Sequence, residues 1–409
     1  MERYNEYKDS GVQWLGEIPS HWELRKMKYT FCERSQKGFP NEPLLAATQN
    51  HGVIKKSDYE NRTVEATKNL DTLKLVEKGD FVISLRSFQG GIEYSYCRGI
   101  ISPAYTVLKA HHLTGPYFKH LAKSPSFIDL LKSSVTGIRE GQNIDYNKLK
   151  VEFIPIPTIE EQQAIATYLD TITAKIDEAI AQQQKMIGLL KERKQIIINN
   201  AVTKGLNPDA PMKDSGVDWI GEIPEHWELM QYRHLFYNLD KLRQPISADK
   251  RSRNNPQYDY YGASGVIDKI DYYNVENKVL LIGEDGANLL LRNLPLIYKA
   301  EGKFWVNNHA HILKPIKDDY DFMAYVMEAA DYTLFITGSA QPKLSQSNLN
   351  AVKLPIPPLE EQKSIVDYLA QRTEKIDLAI VNATKQISLL QERKQIIIND
   401  VVTGKVKVS

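Results

Sequence analysis

The stretch Pro155–Gly205, PIPTIEEQQAIATYLDTITAKIDEAIAQQQKMIGLLKERKQIIINNAVTKG, limits what this chain can fold into more than any other. After its Pro-Ile-Pro stop it contains no proline and a single glycine, Gly188. Apolar side chains return at Ile165, Leu169, Ile172, Ile176, Ala179, Met186, Leu190 and Ile197. Steps of alternately four and three are the seam of a long helix that packs along a partner helix. From Pro355 the pattern returns, shifted by 200 positions, as PIPPLEEQKSIVDYLAQRTEKIDLAIVNATKQISLLQERKQIIINDVVTGK. Two copies in one chain predict that the helices pair with each other, antiparallel, as one rod.

The repeat extends beyond the helix. Residues 8–24 read KDSGVQWLGEIPSHWEL and residues 213–229 read KDSGVDWIGEIPEHWEL, which pairs Trp14 with Trp219 and Trp22 with Trp227. Pro19 and Pro224 interrupt these segments, so each is expected to form a short helix, a turn and the start of a strand. Their tryptophans are expected to dock the segment on a core or on the long helices.

A module of mixed character follows each segment. In the first, residues 75–88 and 101–109 have the alternating or β-branched pattern of strands, and 112–134 reads as helical. In the second, 278–293, 295–300 and 310–316 read as strands and 320–337 as helical. Identity is high in the tryptophan segments and the helices and low within the modules. One frame thus carries two different surfaces, as suits a reader of two targets better than a duplicated catalyst.

Composition narrows the function. The 52 basic and 51 acidic residues exclude a global polycation, so any nucleic-acid surface has to be local. Two cysteines, Cys32 and Cys97, cannot build a disulfide framework and fit a reducing compartment. The N-terminus MERYNEYKDS has no apolar core of a signal peptide, and no apolar run approaches the roughly 20 residues that span a bilayer. A cytoplasmic location without membrane attachment is expected.

Catalytic and cofactor motifs are incomplete. Neither a G-x-G-x-x-G after a strand nor a G-x-x-x-x-G-K-[ST] loop is present, so no cofactor is expected. His309 and His311 alternate in a strand-like run and read as a polar surface pair, without the third ligand a metal would need. Glu284 and Asp285 lie between Gly283 and Gly286 and read as a turn. Asn255-Pro256-Gln257-Tyr258 is similar to the Asn-Pro-Pro-Tyr clamp of amino-group DNA methyltransferases, but it lacks the second proline and a preceding glycine-rich loop. A polar loop is the better account. No catalytic or metal-ligating residue is assigned.

Local basicity remains. In KLRQPISADKRSRNNPQYDYYGASG, Lys241, Arg243, Lys250, Arg251 and Arg253 face only Asp249 before the tyrosines begin. Lysine and arginine on a loop supply phosphate contacts, whereas Arg, Asn and Gln read base edges. In the first module the candidates are scattered as Arg34, Lys37, Lys55, Lys56, Arg62, Lys68, Arg86 and Arg98. Lys55, Lys56, Arg62 and Arg86, together with Lys343 in the tail of the second module, complete the candidate DNA-binding set. An ordinary solvated charge is the alternative for each.

These residues together resemble the specificity subunit of Type I restriction-modification systems over essentially the whole chain. The tryptophan segments, the joints IPIPTIEEQ and LPIPPLEEQ, the doubled LLKERKQIIIN and LLQERKQIIIN, and the stretches YYGASGVIDKIDYY and TGSAQPKLS carry the likeness. The fold class expected is α+β: two mixed α/β target recognition domains separated by two long antiparallel coiled-coil helices, with a pseudo-two-fold internal repeat. The expected boundaries are 1–154 and 206–354 for the recognition domains and 155–205 and 355–409 for the helices. The resemblance implies a non-catalytic subunit that reads a bipartite, asymmetric site in double-stranded DNA, one domain per half-site. It also implies docking of two methyltransferase subunits, with restriction (motor nuclease) subunits joining through that core. A helix from Ile159 to Val202 would be roughly 65 Å long at 1.5 Å per residue. It would act as a ruler for half-sites centred about 34 Å apart. A coiled-coil scaffold that binds only proteins is the rival reading.

Overall fold

The computed structural model describes residues 2–59, 69–85, 87–111, 115–136, 143–251, 256–338 and 340–408. Its contacts divide the chain into a first unit, Met1–Gln184 with Thr384–Ser409, and a second unit, Lys185–Ala383. The two long helices are Ile159–Lys204 and Leu359–Val402. Each ends at a glycine with positive φ, Gly205 at 73° and Gly404 at 78°, the left-handed residue that stops a helix without a Cβ clash.

In the first unit the tryptophan segment is a β-hairpin, not the short helix expected. Strand Tyr7–Asp9 pairs antiparallel with Glu17–Pro19. Asp9 Oδ1 accepts from the Gly11 N–H and Ser10 Oγ from the Val12 N–H. These side-chain turns, with Gly11 and Gly16 at φ 64°, favour a hairpin over a helical turn. The next strand, Glu23–Lys26, pairs with Phe153–Ile156, so the proline joint before the helix is itself a strand that closes the module.

The module is built on a four-stranded antiparallel sheet in the order Phe31–Glu33, Thr106–Ala110, Phe81–Ile83, Glu93–Tyr94. Hairpin Leu45–Thr48 with Gly52–Lys55 and ribbon Lys74–Val76 with Gly99–Ile101 flank it. The span 75–88, read as one strand, is two, because Lys78-Gly79 turns the chain, with Gly79 at φ 95°. The helical span 112–134 divides into Gly115–Leu121 and Pro125–Ser133, since Pro125 cannot continue a helix and Ser124 caps the second one.

The core of this unit joins sheet, helices and long-helix segments. Trp22, Tyr117, Phe118 and Phe127 are buried with Ile165, Leu169 and Ile176 of the first long helix and Ile398, Val401 and Val402 of the second. Each such side chain contributes about 1.5–3 kcal/mol by leaving water. The helix segments run antiparallel, and Lys394 Nζ meets both carboxylate oxygens of Asp177 at 2.7 Å. The first helix starts with a capping box: Thr158 Oγ1 accepts from the Glu161 N–H, and Glu161 Oε2 accepts from the Thr158 N–H. The other oxygen of Glu161 takes Trp22 Nε1 and His21 Nε2, which ties the tryptophan segment to the helix.

The second unit repeats the plan with a larger sheet. Its hairpin is Met212–Asp214 with Glu222–Pro224, and Glu228–Gln231 pairs with Lys353–Ile356. The six-stranded sheet has the order Phe236–Asn238, Ala310–Pro315, Val275–Gly283, Ile297–Val306, Tyr258–Gly262, Gly265–Ile270. Only the pair Tyr258–Gly262 with Ile297–Val306 is parallel among the named strands. The span 278–293 ends as a strand at Gly283, and Asn288–Leu291 is helical. Helix Tyr320–Ala329, capped by Asp319, stops short of 337.

Trp227, Phe322 and Met327 share the core with Ile198 and Val202 of the first long helix and Ile365 and Leu369 of the second. Lys194 Nζ meets both oxygens of Asp377 at 2.7 Å, the same inter-helix ion pair as in the first unit. The apolar seam departs from expectation at Met186, which is 42% exposed, whereas Ile187 and Leu190 turn inward. A straight helix drifts from a 3.5-residue repeat, so one column cannot stay inside along its whole length.

Candidate nucleic-acid interface

The basic loop of the second unit leaves strand Phe236–Asn238 and is tied down at once. Asn238 Oδ1 accepts from the Asp240 N–H, and Asp240 Oδ1 accepts from the Ile312 N–H. Asp240 Oδ2 meets His311 Nδ1 at 2.6 Å, and His311 Nε2 meets the Leu344 carbonyl at 2.8 Å. Burial opposes charge on Asp240, but its bonds to His311, Ile312 and Asn238 hold its carboxyl below the ordinary range. His311 is therefore buried, not half of a surface pair; the exposed His309 instead meets Asp285 at 2.8 Å.

Two of the arginines expected to meet DNA, Arg243 and Arg251, make bonds inside the protein. Arg243 Nη1 donates to the Glu284 carboxylate and to the carbonyls of Asn308 and Ala310. Lys343 Nζ lies 3.1 Å from the other Glu284 oxygen. Burial works against charge on Glu284, and Arg243 and Lys343 outweigh it to keep the carboxyl below its usual range. Glu284 thus joins the loop to the module's tail, whose Leu344 N–H also bonds the Glu284 carbonyl. Arg251 stacks 4.3 Å from the centre of the Tyr260 ring, donates to the Ile246 carbonyl and pairs with Asp268 at 3.2 Å. The guanidinium groups shape the loop. Lys241 and Lys250 are exposed, and their side chains make no bond among the described residues. Arg253 and Asn255 lie outside the described residues; Tyr258 packs on Tyr273 with ring centres 5.3 Å apart.

In the first unit, Arg34 forks onto Asp80 at 2.6 and 3.2 Å, and Arg98 bridges Glu42 and Glu77. Lys37 and Lys55 are exposed, and Lys56 is half-buried. Arg62, Lys68 and Arg86 lie outside the described residues. The structure does not gather the described candidates among these into one basic cluster.

It does bring together residues that sequence reading passed over. A cavity of about 480 Å³ opens between the hairpin turn 48–51 and the side formed by Ser84, Leu85 and Gln89, with Gln49 and Asn50 among its lining. Below, Lys123 Nζ donates to the carbonyls of Gln49 (3.2 Å) and Gly90 (2.8 Å) and to Glu93 Oε1 (2.6 Å). Burial pushes the Glu93 carboxyl up to about 7, against the pull of Lys123. Glu93 Oε2 is buried without a partner. Only the fold reveals this set, because Gln49 and Lys123 are 74 positions apart.

Among the described residues no group of three His, Cys, Asp or Glu is placed to hold a metal ion, and no helix is long and apolar enough to cross a membrane. The sequence matches the Type I restriction modification DNA specificity domain twice, over residues 19–187 and 224–388. It is 25% identical to the type I restriction enzyme MjaX specificity subunit of Methanocaldococcus jannaschii, over 96% of both chains. It is 27% identical to the type I restriction enzyme MjaVIII specificity subunit of the same organism, over 62% of each chain. A chain from a solved type I R-M system shares the fold, with a TM-score of 0.72 at 14% identity, over 95% of this chain and 99% of that one.

Proposed function

The chain belongs to the Type I restriction modification DNA specificity family, and on that premise we propose that it is the non-catalytic specificity subunit of a restriction-modification complex. It reads a bipartite site in double-stranded DNA, one half-site per recognition module, and docks two methyltransferase subunits, with restriction subunits joining the same assembly. It works in the cytoplasm and uses no cofactor of its own.

The observation that carries this reading is the double match to the DNA specificity domain, with one copy falling mainly in each unit. The two copies share their frame down to the Asp177–Lys394 and Asp377–Lys194 pairs. Their presented surfaces differ: a tied basic loop in the second unit and an amide-lined cavity in the first. Phosphate contacts position a protein on DNA and base contacts specify, so unlike surfaces on a like frame suit unlike half-sites. The long helices keep apolar side chains outside, Leu189 and Ile196 in one unit and Leu389 and Ile396 in the other, which supports docking of further subunits along them.

The test is to express the chain with the modification subunit from its own locus in a host lacking adenine methylation, and to sequence the modified genome. A bipartite methylated motif that disappears when this chain is omitted is the expected result. A motif that persists without the chain would refute the reading.

A further inference from the structure

Gln49, Asn50 and Gln89 share three properties: each is exposed, each lines the cavity of the first unit, and none of their side-chain amides is bonded among the described residues. Thr48, His51 and Ser84 add further polar groups to the same wall. No lysine or arginine is among the described lining residues of this cavity. Side-chain amides match the donor and acceptor edges of bases, above all the N6 and N7 atoms of adenine.

Gln49 and Asn50 sit on the turn after strand Leu45–Thr48, and Gln89 on the short helix Ser87–Gly90. Thr48 Oγ1 takes the His51 N–H and donates to the Gly52 carbonyl, which closes the first turn. Lys123 bonds a main-chain oxygen of the turn and one of the helix and is held by Glu93, whose side chain is 2% exposed. Gly90 leaves room for the Gln49 side chain; a Cβ there would lie 2.8 Å from Gln49 Cδ. A Glu–Lys pair that ties the turn to the helix sets the spacing between the groups they carry, as a site for planar, bidentate partners requires.

We propose that this cavity rim is the base-reading surface of the first recognition module, with Gln49, Asn50 and Gln89 contacting base edges and the Glu93–Lys123 pair acting as positioning residues. The proposal rests on the specificity-subunit reading and names which side chains serve one half-site.

The experiment compares genomic methylation motifs produced by the chain with its modification subunit, for wild type and for Gln49→Ala, Asn50→Ala and Gln89→Ala. Loss of one good bidentate contact should reduce discrimination at one base position roughly 5- to 150-fold. One half of the motif becomes degenerate, and the other half stays sharp. Glu93→Leu, which removes the side-chain acceptor for Lys123, should blur the same half; Glu93→Gln, which keeps one, should preserve it. A fold defect would instead lower methylation at both halves alike. A wild-type motif left unchanged by all three amide variants overturns the inference alone. A wild-type chain that directs no motif overturns the functional reading and the inference with it.

Discussion

Replacing Lys241 and Lys250 together with alanine separates a phosphate-binding role from a structural one. Both side chains are exposed and unbonded among the described residues, so their loss should leave the fold untouched. If each neutralises one phosphate, removing both lowers the salt slope of log K by about 1.8, at about 0.9 per contact. Between about 0.05 M and about 0.2 M salt the wild type then loses roughly 12-fold more affinity than the variant. Fluorescence anisotropy of the complex with its modification subunit, on a duplex carrying the methylated motif's sequence, reads this directly. Arg251→Ala is the contrasting variant. It removes one ion-pair partner of Asp268 and the guanidinium stacked on Tyr260, at a cost on the order of 2 kcal/mol of folding stability. Its melting temperature should fall with little change in salt slope. An unchanged slope for the lysine pair, with a flattened slope for Arg251→Ala, would refute the division of labour within this loop.

Two further outcomes follow from the structure. The Glu93 carboxyl titrates near 7 in the folded chain against 4.5 as its ordinary value, so the folded state binds more protons between those values. Its contribution to stability therefore grows as pH falls from about 7 towards 4.5, by roughly 3 kcal/mol, and Glu93→Gln should remove that part of the pH dependence in thermal unfolding. An insertion of helix-forming residues at Gln182–Lys185, where the first long helix passes from one unit to the other, should change the spacer of the methylated motif and leave both half-sites intact. Altered half-sites with a fixed spacer, read by the same sequencing, would sink the ruler idea.

The long helices were legible because their signal is local and sustained. Proline stops, alternating steps of four and three, and a terminal glycine placed Ile159–Lys204 to within two residues at its end. The hairpin around Trp14 was not legible from its proline, because Asp9 and Ser10 decide it by bonding their own neighbours. Arg243 and Arg251 looked like free cations because their acids, Glu284 and Asp268, are 41 and 17 positions away. Charge counted along a loop cannot see an ion pair closed by a sheet. Gln49, Asn50 and Gln89 were invisible for a different reason. Amides are common on surfaces, and nothing marks them until the turn 48–51 and the helix Ser87–Gly90 meet over Lys123.

The division of the chain also sets an order of completion during synthesis. The second unit is continuous, Lys185–Ala383, and holds all the segments its core needs. The first unit is interrupted, since Trp22, Phe118 and Leu169 share their core with Ile398, Val401 and Val402. On the ribosome the module made first must therefore wait, with part of its apolar surface uncovered, while the later module can close ahead of it. Contacts between residues this distant in sequence form slowly, and an exposed core invites association with other chains in the interval. The last turns of the second helix thus act as the closing piece of the earlier module, and a ribosome stalled before them would release a chain whose second half is folded and whose first is not.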